Sequence, residues 1–459
     1  MLTETVYEDS RLAFWQRVRE FAVPPSMIET ATARRSVGDW AGACAAAGFD
    51  VDFDLRSFAR VRGRELAARI RADLRQLAPD LLRWHLPRIA PDGLLRPGLT
   101  VALARYDSPE PGGGAPVHLV ARTAPAWADA GQRISLALWN GSSSGSGFCP
   151  YPHPRPSRRF RLDLHRHLWD ARRTGELRTR SGAGRPPANN PEHSTALPPG
   201  LPWAVDCWAA EAEILLRAEG RPAGPVVVRF GARQQLVLDP PGTVPGAVPG
   251  AGRGPGHGGT ALLPVLPDAA TWILPDLELL RAGAIEAERL HPLVVAALLP
   301  DHPPPAASRG ADASEQPRLV QCRGALHRIG LVDGVLAALD HDPGELRREE
   351  LLVALTGTPL PCLQAIDEAH RRPESLADIR ARLDHGDTAG ALAAVEQLLG
   401  PDALLRSGPL REELEAAVRQ RITYGLFRAG LAEPRRRSTR PGPTRPKDHR
   451  SRIRHAAGH

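Results

Sequence analysis

Apolar positions recur along the first part of the chain at helical spacing. Across residues 65–84, Leu66, Ile70, Leu74, Leu77, Leu81 and Trp84 follow one another three or four residues apart, as on one face of a helix. Pro79 interrupts this run and suits the first position of a second helix, where a missing N–H is no loss. Upstream, residues 31–55 predict two short helices hinged at Gly38-Asp39. Glycine suits the left-handed end of one helix, and aspartate accepts the first free N–H groups of the next. With Leu12, Phe14, Trp15 and Val18 on an opening helix, residues 1–97 read as an N-terminal helical region.

After Pro97 the period shortens. Residues 99–106, 117–122 and 133–139 are β-like runs between Gly/Pro turns and predict a small antiparallel sheet. A helix over 161–177 completes a sheet-plus-helix region, 98–180, and 181–202 is a proline-rich linker. Residues 203–343 read as mixed. They hold a helix over 203–219, a hairpin of 226–230 with 235–238, helices over 276–283 and 285–299, and a hairpin turning at Asp333-Gly334. Mobile loops are expected at 240–260 and 302–317. Residues 344–432 predict a helical bundle. In it Ser375 and Asp378 resemble a capping box, and a last helix from Pro409 buries Leu410, Leu414, Val418 and Ile422. The expected fold class is α+β: mainly helical, with small antiparallel sheets, long Gly/Pro loops and a disordered basic tail at 433–459.

Composition narrows the chemistry. At 459 residues the chain can hold two to four domains. Of its 59 basic residues only Lys447 is lysine, which removes the phosphate-binding lysine of a P-loop and the Schiff-base lysine of pyridoxal-phosphate enzymes. Residues 434–459 carry a net charge of +8 against +7 for the whole chain, so the body is near neutral. The five cysteines, Cys44, Cys149, Cys207, Cys322 and Cys362, are scattered without a CxxC, as in a reduced cytoplasmic protein. The N-terminus has charges where a signal peptide needs an apolar core, and the apolar run 293–299 is too short to span a bilayer. The expectation is a cytoplasmic protein with no membrane contact.

Each chemically suggestive cluster has a plainer reading. Asp50, Asp52 and Asp54 begin a calcium-loop pattern, but Leu55 and Val61 stand where an EF-hand needs glycine and an acid, which leaves a solvated helix exit. His165 and His167 lie near Asp163 and Asp170, but on a helix two residues apart point about 200° from each other. Solvent-facing side chains are therefore expected. Cys322 and His327, five apart along a strand, fall on opposite faces, giving a buried thiol and a surface histidine. Asp367, Glu368 and His370 suit ion pairs with Arg371 and Arg372. Glu211 and Glu213 diverge on their helix, and the glycine-rich 250–260 lacks GK[ST]. No catalytic residue, cofactor or metal ligand is assigned.

The hinged helix pair occurs twice. The pattern GDxAGAxAA spans 38–46 and returns at 386–394. The first copy resembles the helical part of an ankyrin repeat, with Ala47-Gly48-Phe49-Asp50-Val51-Asp52 matching the A-G-x-D-V-[ND] exit; the second, at 379–400, shares the turn and the Leu-Leu-Gly ending. Neither copy leads into T-P-L-H, and no 33-residue period appears. Blocks 31–87, ending in DLLRWHLPR, and 382–430, with ITYGLFRAG, are similar to proteins of unknown function from high-GC actinobacteria. Ankyrin stacks bind proteins, so the resemblance implies a protein partner, with Trp40, Asp39 and Asp387 as candidate contacts. The expected function is a cytosolic interaction or scaffold protein. One alternative is an accessory protein binding nucleic acid without sequence preference through Arg435, Arg436, Arg437, Arg440 and Lys447. Another is an enzyme of unrecognised class using groups around His165, His167 or Cys322.

Overall fold

The computed structural model describes residues 2–107, 115–141, 150–184, 197, 201–230, 234–238, 263–302, 318–357 and 359–432. It is an α+β structure, richer in helix than strand, with small and mostly antiparallel sheets. Outside the described residues lie loop 240–260, residues 303–317, Cys149, and the tail with Arg435, Arg436, Arg437, Arg440 and Lys447. Contacts divide the chain into unit 1 (residues 1–127, 132–303 and 427–459) and unit 2 (128–131 and 304–426). The sequence boundaries near 97, 180 and 202 all fall inside unit 1. Among the described residues no helix is long and apolar enough to cross a membrane.

Unit 1 opens with six helices: α1 (Leu2–Arg17), α2 (Pro25–Ser36), α3 (Trp40–Ala46), α4 (Leu55–Arg62), α5 (Arg64–Gln76) and α6 (Pro79–His85). The hinge between α2 and α3 forms as its residues require. Gly38 takes φ +79°, and the Asp39 carboxylate accepts from Gly42 N at 2.8 Å. Pro79 opens α6 as expected. A short ribbon, β2 (Arg88–Ile89) with β3 (Leu94–Leu95), leads to the sheet, in which β4 (Thr100–Tyr106), β5 (Val117–Thr123) and β6 (Ile134–Trp139) are the three expected antiparallel strands. A fourth, β1 (Phe49–Val51), joins β6 in parallel. The residues matching an ankyrin exit thus enter a sheet, and three residues are too few to show an alternation in sequence. Ile70, Leu74, Trp84, Leu103, Leu119 and Leu136 share one core between helices and sheet.

The helix expected at 161–177 is absent. Arg161 makes a β-bridge to Ala102, and the chain then runs through two 3-10 turns, Arg166–Leu168 and Thr174–Glu176, into the four-residue α7 (Leu177–Arg180). Backbone groups here bond elsewhere. Ala78 N donates to Trp169 O at 2.8 Å, Ala171 N to Gln76 O at 2.9 Å, and Arg172 N to the Asp170 carboxylate at 3.1 Å. Next come α8 (Val205–Ala218) and the expected hairpin, β7 (Val226–Arg229) with β8 (Gln235–Leu238), sharing a core around Trp208 and Phe230. After α9 (Asp268–Thr271) and α10 (Pro275–Arg281), the helix expected over 285–299 is reduced to a 3-10 turn and α11 (Pro292–Leu298). Pro292 at its first position sets that later start.

In unit 2, β9 (Arg318–Cys322), β10 (Ala325–Val332) and β11 (Val335–Ala338) form an antiparallel sheet in the order β11-β10-β9. Its tight turns are Arg323-Gly324 and the expected Asp333-Gly334, all four residues at positive φ. Helices α12 (Pro343–Thr356), α13 (Pro361–Arg371), α14 (Leu376–His385), α15 (Thr388–Leu399) and α16 (Pro409–Arg428) follow. The second hinge repeats the first, with Asp387 accepting from Gly390 N at 2.9 Å. Two expectations fail here. Ser375 makes no capping bond, because its ψ of 3° is not the extended conformation that aims an N-cap oxygen at the helix. In α16, Leu410 is buried and Leu414 half-buried against α14 and α15, but Val418 and Ile422 are exposed, and the buried side chains of the later turns are Tyr424 and Phe427 instead.

Candidate functional site

Two groups of buried titratable side chains stand out, one in each unit. In unit 1 the irregular segment 161–180 lies beside α8. His165 and His167, expected to face solvent and diverge, are both buried, with ring centroids 5.8 Å apart. Turning the chain through 3-10 geometry rather than an α-helix brings them together. His165 Nδ1 lies 3.0 Å from Arg161 O, and its Nε2 lies 3.1 Å from Glu211 Oε2. Arg180 grips Glu211 with both edges of its fork, Nε to Oε1 at 2.6 Å, and donates to Leu164 O at 2.9 Å. Burial pushes the Glu211 carboxyl up, but its pairing with His165 and Arg180 outweighs this and holds it below the usual carboxylate range. His167 is pushed well below the ordinary imidazole value by burial first and by His165 next. The cavity these residues line measures about 10 Å³ and has room for one water.

Around this group the charges are also matched. Asp163 is paired with Arg161 at 2.8 Å. Asp170 and Asp73 share Arg166 and Arg172 at 2.7–2.9 Å, and Tyr106 donates its hydroxyl to Asp73 at 2.8 Å. A further network in unit 1 had no sequence signal. Asp276 accepts from Trp84 Nε1 at 2.7 Å and from Arg19 at 3.1 Å, and His291 Nε2 lies 2.9 Å from Asp80. Burial lowers His85, beside Asp276, to about 4.

Unit 2 presents different chemistry. Cys322 and His327 share a face of the sheet, contrary to the expectation of opposite faces. The chain reverses at Arg323-Gly324, so His327 pairs with Val320, two residues before Cys322 on the same side of β9. His327 therefore points inward, and its ring stacks on His341 with centroids 4.3 Å apart and planes 26° from parallel. Cys362, in the first turn of α13, completes the group: one ligand atom from each of Cys322, His341 and Cys362 lies within 4.8 Å of the others. Burial and the neighbouring Cys322 sulfur push the Cys362 thiol up to about 11. His341 Nε2 and His327 Nδ1 are buried with no hydrogen-bond partner among the described residues. Of the two clusters, only this one carries the soft donors a metal ion takes.

The remaining candidates have structural partners. Asp39 and Asp387 cap α3 and α15, and Trp40 is half-buried against the core of unit 1. Asp50 is bound bidentately by Arg133 at 2.6–2.9 Å, Asp52 pairs with Arg428, and Asp54 caps α4. Asp367 pairs with Arg371, as expected, and with Arg406 rather than Arg372, while His370 is buried. The cue that sequence reasoning missed is the order Cys322, His327, His341, Cys362 with tight-turn dipeptides between the first three. No family model, curated protein or solved structure matches the chain.

Proposed function

We propose that the protein works by holding another protein, and that the outer face of the β9–β11 sheet is where it does so. Strand alternation puts Val320, Cys322, Ile329, Leu336 and Ala338 on the inner side, over α13. The opposite side carries Leu319, Leu326, Val332, Val335 and Leu339, which are 37–66% exposed. This outer row carries the reading: several large apolar side chains on one rigid sheet face are the composition of a docking surface rather than of ordinary exterior. Asp340 holds Arg328 at the same face in a bidentate pair at 2.7–3.2 Å, adding a fixed charge beside the apolar row. The ankyrin-like hairpins support the same class of function, though their aspartates already serve as caps.

Site-directed photo-crosslinking in cells tests this. A photoreactive side chain replacing Leu326 should give a discrete adduct with a second protein, and Val335→Glu should abolish it. The same group replacing Arg60, on α4 of unit 1, should not give that adduct. No adduct at 326, or the same adducts from both positions, would contradict the reading.

A further inference from the structure

We propose that Cys322, His341 and Cys362 bind one divalent metal ion of the zinc class. Three separate segments supply the donors: the end of β9, the turn between β11 and α12, and the first turn of α13. A tetrahedral zinc ion holds sulfur at about 2.3 Å and imidazole nitrogen at about 2.0–2.1 Å, which spaces neighbouring donors about 3.5–3.8 Å apart. The three donor atoms already lie within 4.8 Å of one another, so small side-chain rotations close the set. Two thiolates and an imidazole select zinc over calcium or magnesium, which take oxygen.

A second observation points to the same ion. The His341 side chain is only 3% exposed, yet its Nε2 has no hydrogen-bond partner among the described residues. Its Nδ1 faces Glu345 Oε2 at 3.8 Å. That separation is an ion-pair distance rather than a hydrogen bond, and a carboxylate beside the second ring nitrogen is where the orienting partner of a metal-bound histidine stands. Glu345 is itself held by Arg323, and His327 stacked on His341 fixes the plane of the ring. Binding forms two sulfur–metal bonds and one nitrogen–metal bond and releases the two thiol protons to water, with no change of oxidation state. Three protein donors leave one tetrahedral position for water. The ion would tie the inner layer of the sheet to α13, directly behind the apolar outer face. The inference nevertheless stands independently of what docks there.

The test is metal and thiol analysis of the purified full-length protein. One zinc per chain is expected, falling to background in Cys322→Ser and in His341→Asn and unchanged in Cys207→Ser. Cobalt exchanged into the wild type should show thiolate-to-cobalt charge-transfer absorption that weakens in Cys362→Ser. His327→Ala should keep the stoichiometry but weaken zinc about 10- to 100-fold in chelator competition, as loss of an orienting partner does. If variants fail to fold, the wild-type protein decides alone. A chain that takes up neither zinc nor cobalt with both thiols reduced would overturn the inference. So would a Cys322–Cys362 disulfide recovered under non-reducing conditions.

Discussion

The buried cluster of unit 1 and that of unit 2 are both built around a close pair of histidines, but they are completed in opposite ways. Around His165 and His167 the protein supplies its own counter-charges: Glu211 between His165 and the Arg180 fork, with Asp170 and Asp73 clamped by Arg166 and Arg172 nearby. The remaining space fits one water. Around His327 and His341 there are thiols instead of buried carboxylates, and each ring has a buried nitrogen with no partner among the described residues. Buried polar groups are normally satisfied. Each cluster leaves buried ring nitrogens without a hydrogen bond among the described residues, His165 Nε2 and His167 Nδ1 in the first and His327 Nδ1 and His341 Nε2 in the second, but only the second gathers two thiols around a histidine. Burial and close histidines therefore do not distinguish a structural network from a binding site. The donor types do.

The difference can be broken from the unit 1 side first. Arg180→Met should destabilise unit 1 by about 3–5 kcal/mol, because Glu211 stays buried with half its partners gone. Denaturant unfolding measures the loss, and hydrogen exchange should place it at α8. A zinc chelator should leave exchange at α8 unchanged while raising it at β9 and α13. Acid should also act on unit 1. His85 titrates at about 4 when folded and at about 6.5 when unfolded, so between those values the unfolded chain takes up a proton that the folded chain refuses. The stability from keeping this ring neutral is full above about pH 6.5 and is lost as the pH falls to about 4. From one group that amounts to roughly 3 kcal/mol. His85→Phe should flatten this part of the pH–stability curve.

The two hinges give a finer contrast within one motif. Gly38 and Gly386 both take positive φ, but a Cβ at Gly38 would meet nothing within 4 Å. A Cβ at Gly386 would sit 2.0 Å from the Gly131 carbonyl oxygen. Gly38→Ala should therefore cost only the backbone term, about 1 kcal/mol, while Gly386→Ala should cost about 2–3 kcal/mol as the contact is forced apart. Thermal unfolding of the two variants side by side checks the order, and equal effects would mean that the close approach is not held in solution.

Much of the scaffold was legible because it rests on local rules. The Gly-Asp hinges, Pro79 at the start of α6, strands β4 to β6 and the Asp333-Gly334 turn all follow from residues a few positions apart. The failures came where distant groups decide. The segment 161–177 has helical spacing, but its backbone bonds to residues 76 and 78 and to the Asp170 carboxylate. In α16 the apolar periodicity runs through Val418 and Ile422, but the later turns bury Tyr424 and Phe427 and leave those two exposed. For Cys322 and His327 the error was to read one strand through Arg323-Gly324; the tight turn reverses which faces coincide. Cys362 and His341 enter the same cluster through α13 and the turn before α12, a proximity set by tertiary packing that spacing along the chain cannot show.

The central claim is that the unit 2 cluster is completed by a metal ion coordinated through its two sulfurs and a ring nitrogen. X-ray absorption at the zinc edge on the purified full-length protein tests it most directly. The account predicts two sulfur scatterers at about 2.3 Å with nitrogen or oxygen neighbours at about 2.0–2.1 Å. A shell of nitrogen and oxygen alone would contradict it, as would the absence of stoichiometric zinc from protein whose Cys322 and Cys362 are reduced.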